Sequence, residues 1–180
     1  SEMFKRGHTV YHYGHPDSKV PCTEHISVIS HLTYDDHFKR QKWQDFLPQK
    51  IKNKLHEEFN TNAAREALTR RHSKNDLVLA FWGVGHKGAC EKLKDSMIVV
   101  EPSIGYDSFF AHFRVFESYS HLHKMLGGAQ YNHPSSTDHV IPPGFVPDDF
   151  EFSEEKEDYW LFLGRIVDSK GVHIADQLSR

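Results

Sequence analysis

Twice in the middle of this chain a continuous apolar run lies between a helix-forming segment and a glycine turn. The two runs are "NDLVLAFWG" (75–83) and "SMIVVEP" (96–102). An element that is apolar at successive positions cannot show one face to water. It must be covered on both, as a strand in a parallel sheet is covered by helices above and below. The rest of the chain is read around that constraint.

Other segments alternate in the same way. "GHTVYHYG" (7–14) and "EHISVIS" (24–30) read as strands, and "DHFKRQKWQDFLPQKIKNKLHEEF" (36–59) as an irregular helical stretch broken by Pro48. "TNAAREALTRRH" (61–72) reads as a helix capped by Thr61, and "HKGACEKLKD" (86–95) as a short helix. "FRVFESYSHLHKMLGG" (113–128) reads as a helix ended by Gly127 and Gly128, with Phe109, Phe113, Phe116 and Tyr119 on its core side. "HVIPPGF" (139–145) is a strand entering a Pro-Gly turn, and "YWLFLG" (159–164) is another strand. The order predicts an α/β chain with a Rossmann-like, doubly wound and mainly parallel sheet. The acidic "EFSEEKEDY" after "PPGFVPDD" reads as a linker. The expected organisation is a first domain over 1–145, a hinge over 146–158 and the start of a second domain over 159–180.

Composition narrows the function classes. At 180 residues, 38% hydrophobic and 26% charged, the chain suffices for one domain with a core and is too short for two full ones. A net charge of −3 without a basic cluster argues against nucleic acid as the default partner. Cys22 and Cys90 are the only cysteines, with no disulfide framework and no CxxC site, so reduced thiols and a cytoplasmic location are expected. No apolar run reaches the roughly 20 residues of a membrane span, and "SEMFKRGHTV" has no signal-peptide core. A soluble protein is expected, with peripheral membrane contact left open.

In α/β sheets the ligand crevice lies beyond the carboxyl ends of the strands, where helix N-termini and loop amides converge. Four predicted strand ends carry glycine with a polar group. They are Gly83-Val84-Gly85-His86, Glu101-Pro102-Ser103-Ile104-Gly105-Tyr106, Pro143-Gly144-Phe145 and Gly164-Arg165. His86, between glycines at a strand end, and Glu101, which either orients a substrate hydroxyl or caps the next turn, are the candidate catalytic residues. Gly85, Gly105 and Tyr106 are expected to line the same cleft, with His86, Glu101 and Gly105 on one crevice. Arg114 and Glu117 are expected to form an internal ion pair near it. Histidine is abundant, 15 in all, yet His8, His12 and His15 surround one strand and His121 and His123 share no helix face. Neither set forms a ligand array, and no metal site is expected.

The segment "IPPGFVPDDF…YWLFLGRIVDSKG" resembles the interdomain hinge and first βα unit of the second domain in GT-B glycosyltransferases of the retaining family 4 type. "VVEPSIGYDSFFAHFRVFESYSHLH" is similar to an EPGIGY…RVFESYAW-type segment in a subset of that family. The resemblance covers 76–180 and only loosely 1–75. It implies a metal-independent, retaining transfer of a sugar from a nucleotide-sugar donor to a glycan, lipid or protein hydroxyl, with no cofactor. Gly164, Arg165 and Lys170 would then bind the donor diphosphate, two cations neutralising the leaving group with help from a helix N-terminus. The family's first strand with its Gly-rich loop has no counterpart here. Its EX7E pattern has none either, since a partner for Glu117 would stand at Met125. The chain is therefore expected to be most of an acceptor domain and the start of a donor domain. A noncatalytic sugar- or nucleotide-binding α/β module is the alternative, and a histidine-rich metalloprotein a third reading.

Overall fold

The computed structural model describes residues 2–39, 53–70, 73–128 and 135–180. Within them the chain forms two compact units, divided between Pro143 and Gly144. The expected break at Pro48 lies outside the described residues.

The first unit is α/β with parallel pairing throughout. After a short helix α1 (Glu2–Lys5), strands β1 (Tyr11–Gly14) and β2 (Glu24–Ser27) form a two-stranded parallel sheet. The first predicted strand begins four residues late. Gly7, with φ 85°, closes α1 by donating to the Phe4 carbonyl, and the chain extends only after it. Helices α2 (His31–Phe38) and α3 (Lys54–Thr69) follow. The cap of α3 is Asn53, whose side chain accepts from the His56 amide, so Thr61 lies in mid-helix. The good helix formers between Lys54 and Glu58 carry the helix further back than the Thr61 signal suggested.

The second sheet has four parallel strands in sequential order: β3 (Leu77–Leu79), β4 (Ile98–Ile104), β5 (Phe113–Phe116) and β6 (Asp138–Val140). Helix α4 (Lys87–Leu93) joins β3 to β4, and α5 (Tyr119–Gly127) joins β5 to β6. The sequence placed one helix over 113–128, but its first four residues are β5. Four aromatic, β-branched and long side chains in a row favour a pleated strand between two partners. The helix starts only at Ser118, whose hydroxyl accepts from the His121 amide at 3.1 Å. Strand β4 outruns its predicted end through an irregularity between Glu101 and Ile104, where Ser103 takes φ 54°. Pro102, which cannot donate to a ladder, sits in that irregular stretch.

Two cores hold the unit. Ile26 and Val28 meet Ala63, Ala64 and Ala67 of α3, together with Ala89, Leu93 and Met97. Three alanines on one helix face let α3 approach closely. Ile104, Phe109, Phe116 and Leu122 form the other cluster, and Ile104 and Phe116 are fully buried. Each such side chain contributes about 1.5–3 kcal/mol relative to exposure.

The second unit contains no strand among its described residues. "YWLFLG" forms no strand and pairs with none among the described residues, with Trp160 76% and Leu163 91% exposed. An apolar run becomes a strand only where neighbours take its backbone hydrogen bonds, and the described residues of this unit supply none there. A 3-10 turn at Asp168–Lys170 leads through Gly171, φ 72°, into helix α6 (Val172–Leu178). No helix of the described residues is long and apolar enough to cross a membrane.

Candidate functional site

The exits of β3, β4 and β5 interlock at one end of the four-stranded sheet. After β3 the chain makes a 3-10 turn over Gly83–His86. Gly83 has φ 53°, and a Cβ there would stand 2.5 Å from the Tyr106 ring. A side chain at Gly85 would overlap the Trp82 indole. Asn60 of α3 clamps the turn by donating to the Gly85 carbonyl and accepting from the Ala89 amide, both at 2.9 Å. Gly83→Ala combines a left-handed backbone with a clash and is expected to cost about 2–3 kcal/mol, read as a lower urea midpoint at unchanged slope.

His86 ends this turn with its ring stacked on Phe59, centroids 4.7 Å apart and planes within 8°. Its Nδ1 accepts from the Trp82 amide at 3.3 Å, so in the neutral ring the proton is on Nε2. Burial, with a smaller contribution from His56, holds its pKa down at about 4. At neutral pH His86 is therefore an uncharged N–H donor whose accepting nitrogen is already used.

Glu101 is completely buried on β4. One carboxylate oxygen accepts from the Tyr106 hydroxyl at 2.9 Å, the other from the Phe110 and Ala111 amides at 2.8 and 3.1 Å. The carboxylate thus ties the 105–112 loop to the sheet. This corrects the cleft position expected for it: with no exposure, Glu101 lines no open crevice, and it acts by positioning Tyr106. Burial and the Glu101 hydrogen bond raise the Tyr106 pKa, which keeps the phenol protonated. Burial, with Glu101 second, also pushes the Cys90 thiol up to about 12, far from the reactive thiolate range.

Gly105 packs against Glu117, whose carboxylate fills the space a Cβ would need. His121 Nε2 donates to the Tyr106 carbonyl at 2.9 Å, drawing the first turn of α5 onto the same loop. The Glu117 carboxylate makes no hydrogen bond or ion pair among the described residues, and it is the acceptor this cluster leaves available. The expected Arg114–Glu117 ion pair does not form. Arg114 donates from Nε to Asp138 at 2.5 Å across the β5–β6 pairing, and its guanidinium lies over the Phe109 ring. Residues three apart share a helix face but point to opposite sides of a strand, so assigning β5 as helix produced the wrong partner.

Gly164, Arg165 and Lys170 belong to the second unit and are all exposed. Two hollows lie among the described residues, one in the first unit against α2 beside Leu32 and Phe38, the other within the second unit beside Trp160 and Val172. Sequence reasoning missed Asn60, Asp138 and Ser118. Only Ser118 carried a readable signal, a capping residue before a periodic apolar stretch. Comparison of the chain with protein-family models, curated proteins and solved structures finds no match.

Proposed function

We propose that the chain is the acceptor-side domain and the start of the donor domain of a retaining GT-B glycosyltransferase. On this reading the parallel sheet belongs to a Rossmann-like, doubly wound domain. What supports it is that the two halves of the "VVEPSIGY…RVFESYSHLH" segment meet at the carboxyl end of the sheet. Glu101 holds Tyr106, Gly105 receives Glu117, and His121 holds the Tyr106 carbonyl. Such spacing has a use only if the two halves fold onto one another.

In the proposed reaction the bond from the anomeric carbon to the nucleoside diphosphate breaks while an acceptor hydroxyl attacks that carbon from the same face and passes its proton to the departing diphosphate oxygen. Arg165 and Lys170 neutralise the leaving diphosphate. Glu117 accepts a hydrogen bond from the acceptor, His86 donates one, and Glu101 fixes the loop between them. Lys170→Ala in the complete protein is expected to lower kcat/KM about 10- to 100-fold, the effect of losing a charge-assisted hydrogen bond of about 1.5–3 kcal/mol. The loss should fall on kcat at least as much as on KM, because diphosphate charge grows as the glycosidic bond breaks. Steady-state release of nucleoside diphosphate measures it. Unchanged kcat/KM would make Lys170 an ordinary surface lysine, and binding of nucleotide sugar without any release would favour the noncatalytic module.

A further inference from the structure

The smaller sheet also has a carboxyl end, and a separate set of side chains converges there. His15 and Asp17 follow β1, and His31 is the first residue of α2, which follows β2. His15 Nδ1 lies 3.8 Å from Asp17 Oδ2, and His31 Nε2 lies 3.7 Å from Asp17 Oδ1. One ligand atom from each of the three residues falls within 4.8 Å of the others. We propose that His15, Asp17 and His31 form a binding site for a divalent transition metal of the zinc type.

Donor chemistry selects the ion. Two imidazole nitrogens and one carboxylate oxygen suit zinc and its neighbours, whereas calcium and magnesium favour all-oxygen sets. Ligand atoms around a tetrahedral zinc lie about 3.3 Å apart, as bond lengths of about 2.0–2.2 Å require. The observed separations close to that value by small rotations of His31 and Asp17, which are 58% and 72% exposed. Three protein ligands leave a fourth position for water or another small ligand.

His15 is already in the form a metal needs. The Asp17 amide donates to His15 Nδ1 at 3.2 Å, so that nitrogen carries a lone pair directed toward Asp17 and the neutral ring keeps its proton on Nε2. A metal on Nδ1 would take the place of this amide, and the exposed Asp17 amide would turn to water. The ring is held against Tyr34, centroids 4.2 Å apart, and His25 Nε2 donates to the His15 carbonyl at 3.0 Å. His15 Nε2 is buried and has no hydrogen-bond partner among the described residues, so Nδ1 is the ring nitrogen that faces Asp17 and His31. The histidine spacing in the sequence missed the site because His31 arrives from the next strand crossover, 16 residues after His15. The inference rests on none of the glycosyltransferase reading.

The test is titration of the metal-free protein with zinc in competition with a chromophoric chelator at about pH 7.5. One zinc per chain with a micromolar or tighter dissociation constant is expected, roughly −8 kcal/mol by conversion. Asp17→Asn and His31→Ala alter exposed side chains and should each weaken binding at least about tenfold, while His8→Ala leaves it unchanged. Circular dichroism of each variant confirms that the fold persists. No binding at roughly 100 μM zinc overturns the site, since that limit excludes a micromolar constant. Equal affinity in the wild type and both ligand variants overturns it too, by showing that zinc sits on other histidines.

Discussion

Replacing Glu101 by alanine is expected to destabilise the first unit by about 3–5 kcal/mol, the largest effect expected of any single substitution, because it leaves buried donors without their acceptor. The carboxylate takes three hydrogen bonds, from the Tyr106 hydroxyl and the Phe110 and Ala111 amides, at zero exposure. Alanine also leaves a cavity at the base of the 105–112 loop. Glu101→Gln keeps the volume and an oxygen for the two backbone amides, but its NH2 then faces the Tyr106 hydroxyl, which must reverse to accept, and the charge-assisted bonds are lost, so it should cost about 1–3 kcal/mol. Urea unfolding followed by circular dichroism measures both. A Glu101→Ala stability within about 0.5 kcal/mol of wild type would contradict a bracing role.

The next largest effect is a pH dependence carried by His86. Its folded pKa of about 4 lies below the ordinary histidine value of 6.5. The unfolded chain therefore binds the proton more readily than the folded one. Stability from the neutral ring is complete above about pH 6.5, declines as the pH falls toward 4, and changes no further below that. The full loss is at most about 3.5 kcal/mol, since each tenfold difference in proton affinity between the folded and unfolded chain is worth about 1.4 kcal/mol. His86→Asn retains an acceptor near the Nδ1 position for the Trp82 amide and removes the titration. It should be less stable at neutral pH through lost stacking on Phe59, and its stability should fall less between pH 6.5 and 4. Parallel slopes for the two proteins would show that His86 is solvated in the folded state.

Much of the first unit is legible because its signals are local. Runs such as "LVLAF" and "MIVV" have no polar side, and both supply strands of the parallel sheet, but β3 stands at the end of the described strand order and leaves Leu77 53% and Phe81 65% exposed, so pairing was legible there and burial on both faces was not. Glycines at 83, 85 and 105 mark strand exits, and there the backbone passes against Tyr106, Trp82 and Glu117. What was not legible depends on partners distant in sequence. Residues 113–116 became a strand because β4 and β6 stand on either side, and Arg114 found Asp138 through that pairing. "YWLFLG" failed to become a strand for the opposite reason, having no strand neighbour among the described residues of its unit. Glu101 was expected to face the cleft, but a carboxylate at a strand end can face a cleft or a loop. Only the positions of the Phe110 and Ala111 amides decide between them.

The glycosyltransferase proposal is tested most directly by incubating the complete protein with a panel of nucleotide sugars and hydroxyl acceptors, then following nucleoside diphosphate release and the anomeric configuration of the product by NMR. Acceptor-dependent release from at least one donor is expected, with the configuration of the transferred sugar retained. Inverted configuration, or no release from any donor with a protein shown to be folded, would contradict it.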